Sequence, residues 1–145
     1  MMFWDASAVI PLCVTEKGSE AMKRLLMADP LMSVWWATPV ECCSAFARLR
    51  REGILDTEEE GLAKEPLYEL MKAVTEIKPS QKVRDNALRL IATHPLRSAD
   101  ALQLAAALIW TNGNPHGYSL VCLDNKLRMA AQKEGFTIVP EKAFC

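Results

Sequence analysis

Residues 96–109 decide the fold and read Leu96-Arg97-Ser98-Ala99-Asp100-Ala101-Leu102-Gln103-Leu104-Ala105-Ala106-Ala107-Leu108-Ile109. From Ala99 onward every residue is small or apolar except Asp100 and Gln103. Ser98 is expected to cap a helix that has no polar face, so this helix should run through the middle of the domain. The helix dipole favours a first-turn carboxylate by roughly 0.3–1 kcal/mol. That is too little to offset desolvation, so Asp100 requires a partner, a proton or a cation.

Short apolar runs alternate with helical patterns along the rest of the chain. The runs read as strands are Met2–Trp4, Leu31–Trp36, Tyr118–Leu123 and Phe136–Val139, with a shorter extended piece at Ile77–Pro79. Continuously apolar strands separated by helices predict a parallel sheet covered on both faces. We therefore expect an α/β fold with three layers, α/β/α, around a mainly parallel sheet of four to five strands, and a single domain over residues 1–145.

Helix boundaries follow from local signals. Thr38, followed by Pro39 and then Glu41, predicts a helix that Thr38 caps in a capping box. Thr57 with the acids after it predicts a second capping box. Pro66 is expected to interrupt the helix that starts there.

Composition limits the class of protein. Half of the residues are hydrophobic and 24% are charged, which is typical of a globular chain. No run approaches the roughly 20 apolar residues of a membrane helix, and the N-terminus lacks a basic leader, so we expect a cytoplasmic protein that does not bind membranes. Five scattered cysteines and two histidines favour reduced, mostly buried thiols over a zinc or disulfide framework: Cys13, Cys42, Cys43, Cys122 and Cys145.

Four acids fall at positions that an α/β sheet would bring together. Asp5 and Asp124 each follow a predicted strand, while Glu41 and Asp100 each lie in the first turn of a predicted helix. Each also has a structural interpretation: Asp5 in a turn, Glu41 in a capping box, Asp100 facing a helix dipole and Asp124 capping a helix. The net charge is −1, so a site that holds four acids leaves +3 for the remainder, and an RNA partner is compatible with the composition.

Convergence of these acids would predict metal chemistry. Two carboxylates about 4 Å apart repel by roughly 4 kcal/mol at an effective dielectric constant near 20. A cluster of them is therefore unstable without protons or a cation, and oxygen ligands without His or Cys suit Mg²⁺ or Mn²⁺. Such ions activate water and stabilise the charge that develops on a phosphoryl group. The pattern indicates metal-dependent hydrolysis of a phosphodiester.

The motifs resemble those of the PIN domain, and in particular the VapC-like ribonuclease toxins of type II toxin–antitoxin systems. The segments that carry the resemblance are Asp5–Ala8, Glu41, Arg97–Ala101 with Leu104–Ala105, and Leu123–Leu127. The resemblance implies that the four acids, Asp5, Glu41, Asp100 and Asp124, bind one or two Mg²⁺ or Mn²⁺ ions. It also implies that Ser7 is a polar neighbour of the site, and that Arg97 positions the helix or contacts phosphate. A surface salt bridge is the alternative for Arg97.

The same resemblance implies a homodimer and a cognate antitoxin that occupies the active-site groove. One departure is visible: Cys122 stands where family members often have Ser or Thr, two residues before the last acid. This departure puts a supporting hydrogen bond in question.

Three functions are open to a chain with these features. The first is a metal-dependent endoribonuclease toxin, with a basic rim of Arg48, Arg51 and Arg97 along the RNA backbone. The second is a phosphatase with Asp5 as the aspartyl nucleophile, although Ser7 stands where that mechanism places a second acid. The third is a non-catalytic PIN-like module that binds RNA or protein. The motifs do not identify the RNA that would be cleaved.

Overall fold

The computed structural model describes residues 1–142 as seven helices and five strands. The strands are β1 Met2–Trp4, β2 Met32–Trp35, β3 Thr75–Ile77, β4 Ser119–Val121 and β5 Thr137–Val139. The helices are α1 Ala6–Cys13, α2 Ser19–Ala28, α3 Thr38–Arg51, α4 Thr57–Ala73, α5 Gln81–Thr93, α6 Ser98–Trp110 and α7 Asn125–Glu134.

The five strands form one sheet in the order β3-β2-β1-β4-β5, and each neighbouring pair is parallel. From β1 the chain builds outward through β2 and β3, and it then crosses to the other side to add β4 and β5. The strand order therefore reverses between β1 and β4. In open parallel sheets this is where ligand sites form, beyond the carboxyl ends of the strands.

Two hydrophobic layers cover the sheet, one on each face. Phe3 and Leu120 pack with α5, α6 and α7, whereas their chain neighbours Trp4 and Val121 pack with α1, α2, α3 and α4. This alternation is expected because successive side chains of a strand point to opposite faces. The predicted α/β/α architecture with a parallel sheet is confirmed.

Helix α6 is the central element that the sequence predicted. Ala101, Leu104 and the three alanines 105–107 are completely buried, and α5 lies closely against them. The prediction that Ser98 caps this helix is wrong. The amide of Ala101 donates to the carbonyl of Arg97 at 3.0 Å, so the helix starts one residue earlier and Arg97 occupies the cap position without a side-chain bond.

The predicted capping box of Thr38 and Glu41 is also wrong. Ala37 occupies the N-cap position of α3, and no side chain caps it. Thr38 is buried inside the first turn, where its hydroxyl oxygen accepts a hydrogen bond from Gln103 at 3.0 Å. A contact with α6 has taken the place of the local cap.

Helix α4 differs from its prediction in two ways. Asp56, one residue before Thr57, is the cap: Asp56 accepts from the amide of Glu59 at 2.8 Å, and Glu59 accepts in return from the amide of Asp56 at 3.0 Å. Pro66 does not interrupt the helix, which is continuous from Thr57 to Ala73. Leu67 is completely buried beside it, and tertiary packing of this kind overrides local propensity.

Four of the five cysteines are free thiols, as the composition predicted. Cys42 and Cys122 are buried, and Cys13 and Cys43 are half-buried. Cys145 lies outside the described residues. Within residues 1–142 no helix is long and apolar enough to cross a membrane.

Candidate active site

Asp5 lies at the carboxyl end of β1, where the sheet order reverses. Its amide donates to the carbonyl of Val121 at 2.9 Å, which joins the ends of β1 and β4. Its carboxylate caps α1 by accepting bonds from the amide and the hydroxyl of Ser7, at 3.1 and 2.5 Å. The side chain is only 4% exposed, and burial raises the pKa of Asp5 despite these bonds, with a further contribution from Asp124.

Ser7 and Cys122 both support the carboxylate of Asp5. The hydroxyl oxygen of Ser7 accepts from the amide of Leu123 at 2.9 Å, which leaves its proton to donate to Asp5. The sulfur of Cys122 lies 3.6 Å from the same carboxylate oxygen. Burial raises the pKa of the Cys122 thiol, so it stays protonated and can donate. The Cys122 thiol is therefore a weak donor to Asp5, at the position where the Ser or Thr of other family members was expected to supply a hydrogen bond.

Asp100 and Asp124 face a common cavity of about 480 Å³, which is also lined by Arg97, Leu123, Asn125 and Lys126. Asp124 caps α7 by accepting from the amide of Leu127 at 2.9 Å. Asp100 is half-buried in the first turn of α6. Its pKa is raised to about 6 by burial and by the charges of Asp124 and Asp5, although Arg97 and Lys126 oppose the shift.

Glu41 approaches the same site from α3. Burial raises its pKa to about 7, and the charges of Asp5 and Asp100 add to the effect. The side-chain amide of Gln103 donates to Glu41 and also to Thr38. The bond to Glu41 is a short one that opposes the shift. The structure therefore brings all four predicted acids into one electrostatically coupled group.

Two further residues at this site had no role in the sequence analysis. Gln103 is completely buried and donates a hydrogen bond to Glu41. It could have been noticed in the sequence, because Asp100 and Gln103 are the two polar residues in the apolar stretch from Ala99 to Ile109. Lys126 lines the cavity beside Asp100 and Asp124. It belongs to the motif that follows β4, and its position two residues after the capping acid Asp124 could have marked it.

The four carboxylates form no ion pair with any cation in the part of the chain described here. Within residues 1–142, no three His, Cys, Asp or Glu side chains form a ready-made metal-binding group. The donor chemistry nevertheless fits Mg²⁺ or Mn²⁺, because the cluster is made of carboxylate oxygens whose mutual repulsion a cation would relieve.

The predicted basic rim is divided between two places. Arg97 lines the cavity, whereas Arg48 and Arg51 lie in the last turn of α3. Arg48 is about 10 Å along the helix axis from Glu41, at 1.5 Å per residue, and 3.7 Å from Glu52. Contact of Arg48 and Arg51 with RNA stays a prediction.

Without divalent ions, the protein should lose stability as the pH rises from 5 to 8. Glu41 and Asp100 bind protons more tightly in the folded protein than in the unfolded chain. Their contribution to the free energy of unfolding is therefore complete below the pKa that each has in the unfolded chain, and it is lost as the pH rises past 6 for Asp100 and past 7 for Glu41. Because both groups are partly solvated, we expect a loss on the order of 1–2 kcal/mol. Urea unfolding in EDTA measures it.

The matched variants isolate the effect of the cluster. The double substitution Glu41→Gln and Asp100→Asn should flatten the pH dependence between pH 5 and 8, whereas Glu69→Gln, at an exposed i,i+3 pair with Lys72, should leave it unchanged. A wild-type stability that rises across this range, with no difference from the double variant, would contradict the coupling.

Solved structures of other proteins have the same architecture. A chain of a toxin–antitoxin complex from Klebsiella pneumoniae superposes with a TM-score of 0.68 at 16% identity, covering 99% of this chain and all of that one. VapC20 of Mycobacterium tuberculosis, described as a toxin that cleaves the sarcin–ricin loop, superposes with a TM-score of 0.63 at 17% identity, covering 94% of this chain and 97% of that one. These likenesses establish the fold. Fold and site together define a PIN-like α/β protein.

Sequence comparison gives the family. The chain is 30% identical over 141 residues to Ribonuclease VapC45 and to Ribonuclease VapC49, from two strains of Mycobacterium tuberculosis. Each match covers 97% of this chain and 95% of the relative. No family model matches the chain. The protein belongs to the VapC ribonuclease family, and the resemblance found in its motifs is confirmed.

Proposed function

We propose that this protein is a divalent-metal-dependent endoribonuclease, the toxin of a toxin–antitoxin pair. The observation that carries the proposal is the group of four carboxylates at the reversal of strand order: their mutual repulsion raises the pKa of Asp5, Glu41 and Asp100, and none of the four forms an ion pair among the described residues. Membership in a family of ribonucleases, and the VapC20 neighbour that cleaves the sarcin–ricin loop, support RNA as the substrate.

Asp5, Asp100, Asp124 and Glu41 would hold the Mg²⁺ or Mn²⁺. A divalent ion there would supply a water of lowered pKa and would neutralise charge on the phosphoryl group. Ser7 holds the carboxylate of Asp5 in one orientation. Glu41, held by the side-chain amide of Gln103, would complete the ligand set.

Arg97 and Lys126 are suited to bind the RNA backbone next to the reacting phosphate. Both line the cavity that contains Asp100 and Asp124, and both lower the pKa of Asp100 through their charge. Placed beside the acids, they would contact the phosphates that flank the scissile bond. Arg48 and Arg51 would extend this surface only to RNA that reaches the far end of α3.

The proposal includes the partners that the family resemblance implies: a cognate antitoxin and a second copy of the chain, in the cytoplasm. The neighbour from a toxin–antitoxin complex supports the first of these. Size-exclusion chromatography with light scattering, on the chain alone and co-expressed with its antitoxin, tests both.

The direct test is cleavage of RNA by the purified chain. We expect RNA to be cut with Mg²⁺ or Mn²⁺, the activity to disappear in EDTA, and excess Mn²⁺ to restore it. Glu65→Gln, an exposed substitution on α4 outside the site, is the control and should behave as the wild type.

Two outcomes would contradict the proposal. Cleavage that persists in EDTA would exclude the metal mechanism. Absence of both cleavage and calorimetric Mn²⁺ binding would instead support a non-catalytic PIN-like module.

A further inference from the structure

A second cavity, of about 490 Å³, lies at the same edge of the sheet as the acids. It is built where β2 and β3 end. Its lining includes Trp36, Pro79, Gln81, Arg84 and Leu102. The proposed catalytic acids do not contribute to this groove, so the cleavage mechanism leaves its composition unexplained.

Trp36 is the exposed aromatic of this groove. Its backbone amide donates to the carbonyl of Ile77 at 3.0 Å, which fixes its main chain to the end of β3. Its side chain is nevertheless 51% exposed, whereas Trp4 and Trp35 are buried. A tryptophan held on a rigid sheet edge with its ring in solvent is a ready platform for stacking.

Arg84 gives the groove its charge. It is the one charged residue among those that line the cavity, and it forms no ion pair within the part of the chain that the structure describes. An exposed indole next to an unpaired guanidinium is complementary to a ligand that combines a flat aromatic group with a negative charge. A nucleotide has this combination.

The groove lies near the acid cluster both along the chain and in the sheet. From Trp36 the chain runs directly into α3, whose first turn carries Thr38 and Glu41. The strand ends that position the groove and Asp5 belong to neighbouring strands, which are spaced about 4.8 Å apart. One or two nucleotides of single-stranded RNA can therefore span the distance between the groove and Asp5.

We propose that this groove binds an unpaired base of the RNA substrate next to the cleaved phosphate, with the base stacked on Trp36 and its phosphate on Arg84. The inference rests on the proposed ribonuclease function and adds to it a preference for single-stranded RNA. A base in a duplex is already stacked and cannot enter the groove.

Tryptophan fluorescence tests the stacking without any cleavage. In an Asp100→Asn background, which removes a proposed metal ligand, a short single-stranded RNA should quench the emission, and the same sequence as a duplex should not. Trp36→Phe should keep the RNA affinity and lose most of the quenching. Trp36→Ala and Arg84→Gln should each weaken binding about tenfold. Tyr68→Ala, at an equally exposed aromatic on α4, should change neither.

Cleavage kinetics separate this inference from the proposed function. With Asp100 intact, Trp36→Ala should raise KM about tenfold and leave kcat within about twofold. A wild-type chain that does not cut RNA would contradict the proposed function, while the quenching experiment would still decide the groove. The inference is overturned if quenching survives Trp36→Phe, if Trp36→Ala leaves RNA affinity unchanged, or if Trp36→Ala converts a dimer into a monomer, which would make the groove a protein contact.

Discussion

Replacing Asp5 or Asp100 by asparagine is expected to lower the rate of RNA cleavage by about 1000-fold without destabilising the fold. An amide cannot supply the negative charge that holds a divalent ion, and losing about 4 kcal/mol of charge stabilisation in the transition state corresponds to this factor. Asparagine at position 5 keeps an oxygen that can accept from Ser7, so α1 stays capped. Removing a buried charge also relieves its desolvation, so the thermal midpoint should stay the same or rise.

Single-turnover cleavage in Mn²⁺ and thermal unfolding in EDTA give the two readouts. Asp56→Asn is the matched control, because Asp56 also caps a helix through its carboxylate but lies outside the cluster. A loss of less than tenfold for Asp5→Asn would show that this carboxylate is not a metal ligand. Comparable inactivation by Asp56→Asn would show that helix capping, and not the cluster, limits activity.

The order of elements could be predicted because β1, β2, β4 and β5 lie within apolar runs that alternate with helical segments. The strand β3 was expected at Ile77–Pro79, but it lies at Thr75–Ile77, where the residues are mostly polar. Predictions failed at the starts of α3, α4 and α6, where the expected hydroxyl is not the cap, and at Pro66, which does not interrupt α4. Thr38 was expected to cap α3, but its partner is Gln103, 65 residues away in the chain. No local signal predicts a contact over that separation, because it forms only when α3 and α6 pack against the same sheet.

The positions of the acids could be predicted for a related reason. A carboxylate that directly follows a buried strand must lie at the carboxyl edge of a parallel sheet. The structural and functional interpretations proved to be compatible for Asp5 and Asp124, since each caps a helix and also belongs to the coupled group. The residues that support the acids could not be predicted, because what they contact depends on how the helices pack.

Gln103 provides the sharpest test of that supporting layer. Its side chain is completely buried, and its carbonyl oxygen has no hydrogen-bond partner within residues 1–142. A buried acceptor without a partner costs about 1–3 kcal/mol, so this amide is a poor choice for stability alone. What it does provide is a donor to Glu41 and to Thr38. We propose that Gln103 is a positioning residue for Glu41.

Gln103→Leu is expected to lower kcat by about 10- to 100-fold, as for other residues that orient a ligand, and to change the free energy of unfolding by less than about 1 kcal/mol. Because the bond from Gln103 lowers the pKa of Glu41, its loss should raise that pKa above 7 in the metal-free protein and move the loss of stability in EDTA to higher pH. Thr38→Val removes the other acceptor and should have a smaller effect on kcat. If the role of Gln103 were purely structural, Gln103→Leu would give the opposite pattern: the free energy of unfolding would fall clearly, and its dependence on pH would not move. The buried amide of Gln103 costs stability in the central helix α6, and what it contributes in return is the position of Glu41 in the site.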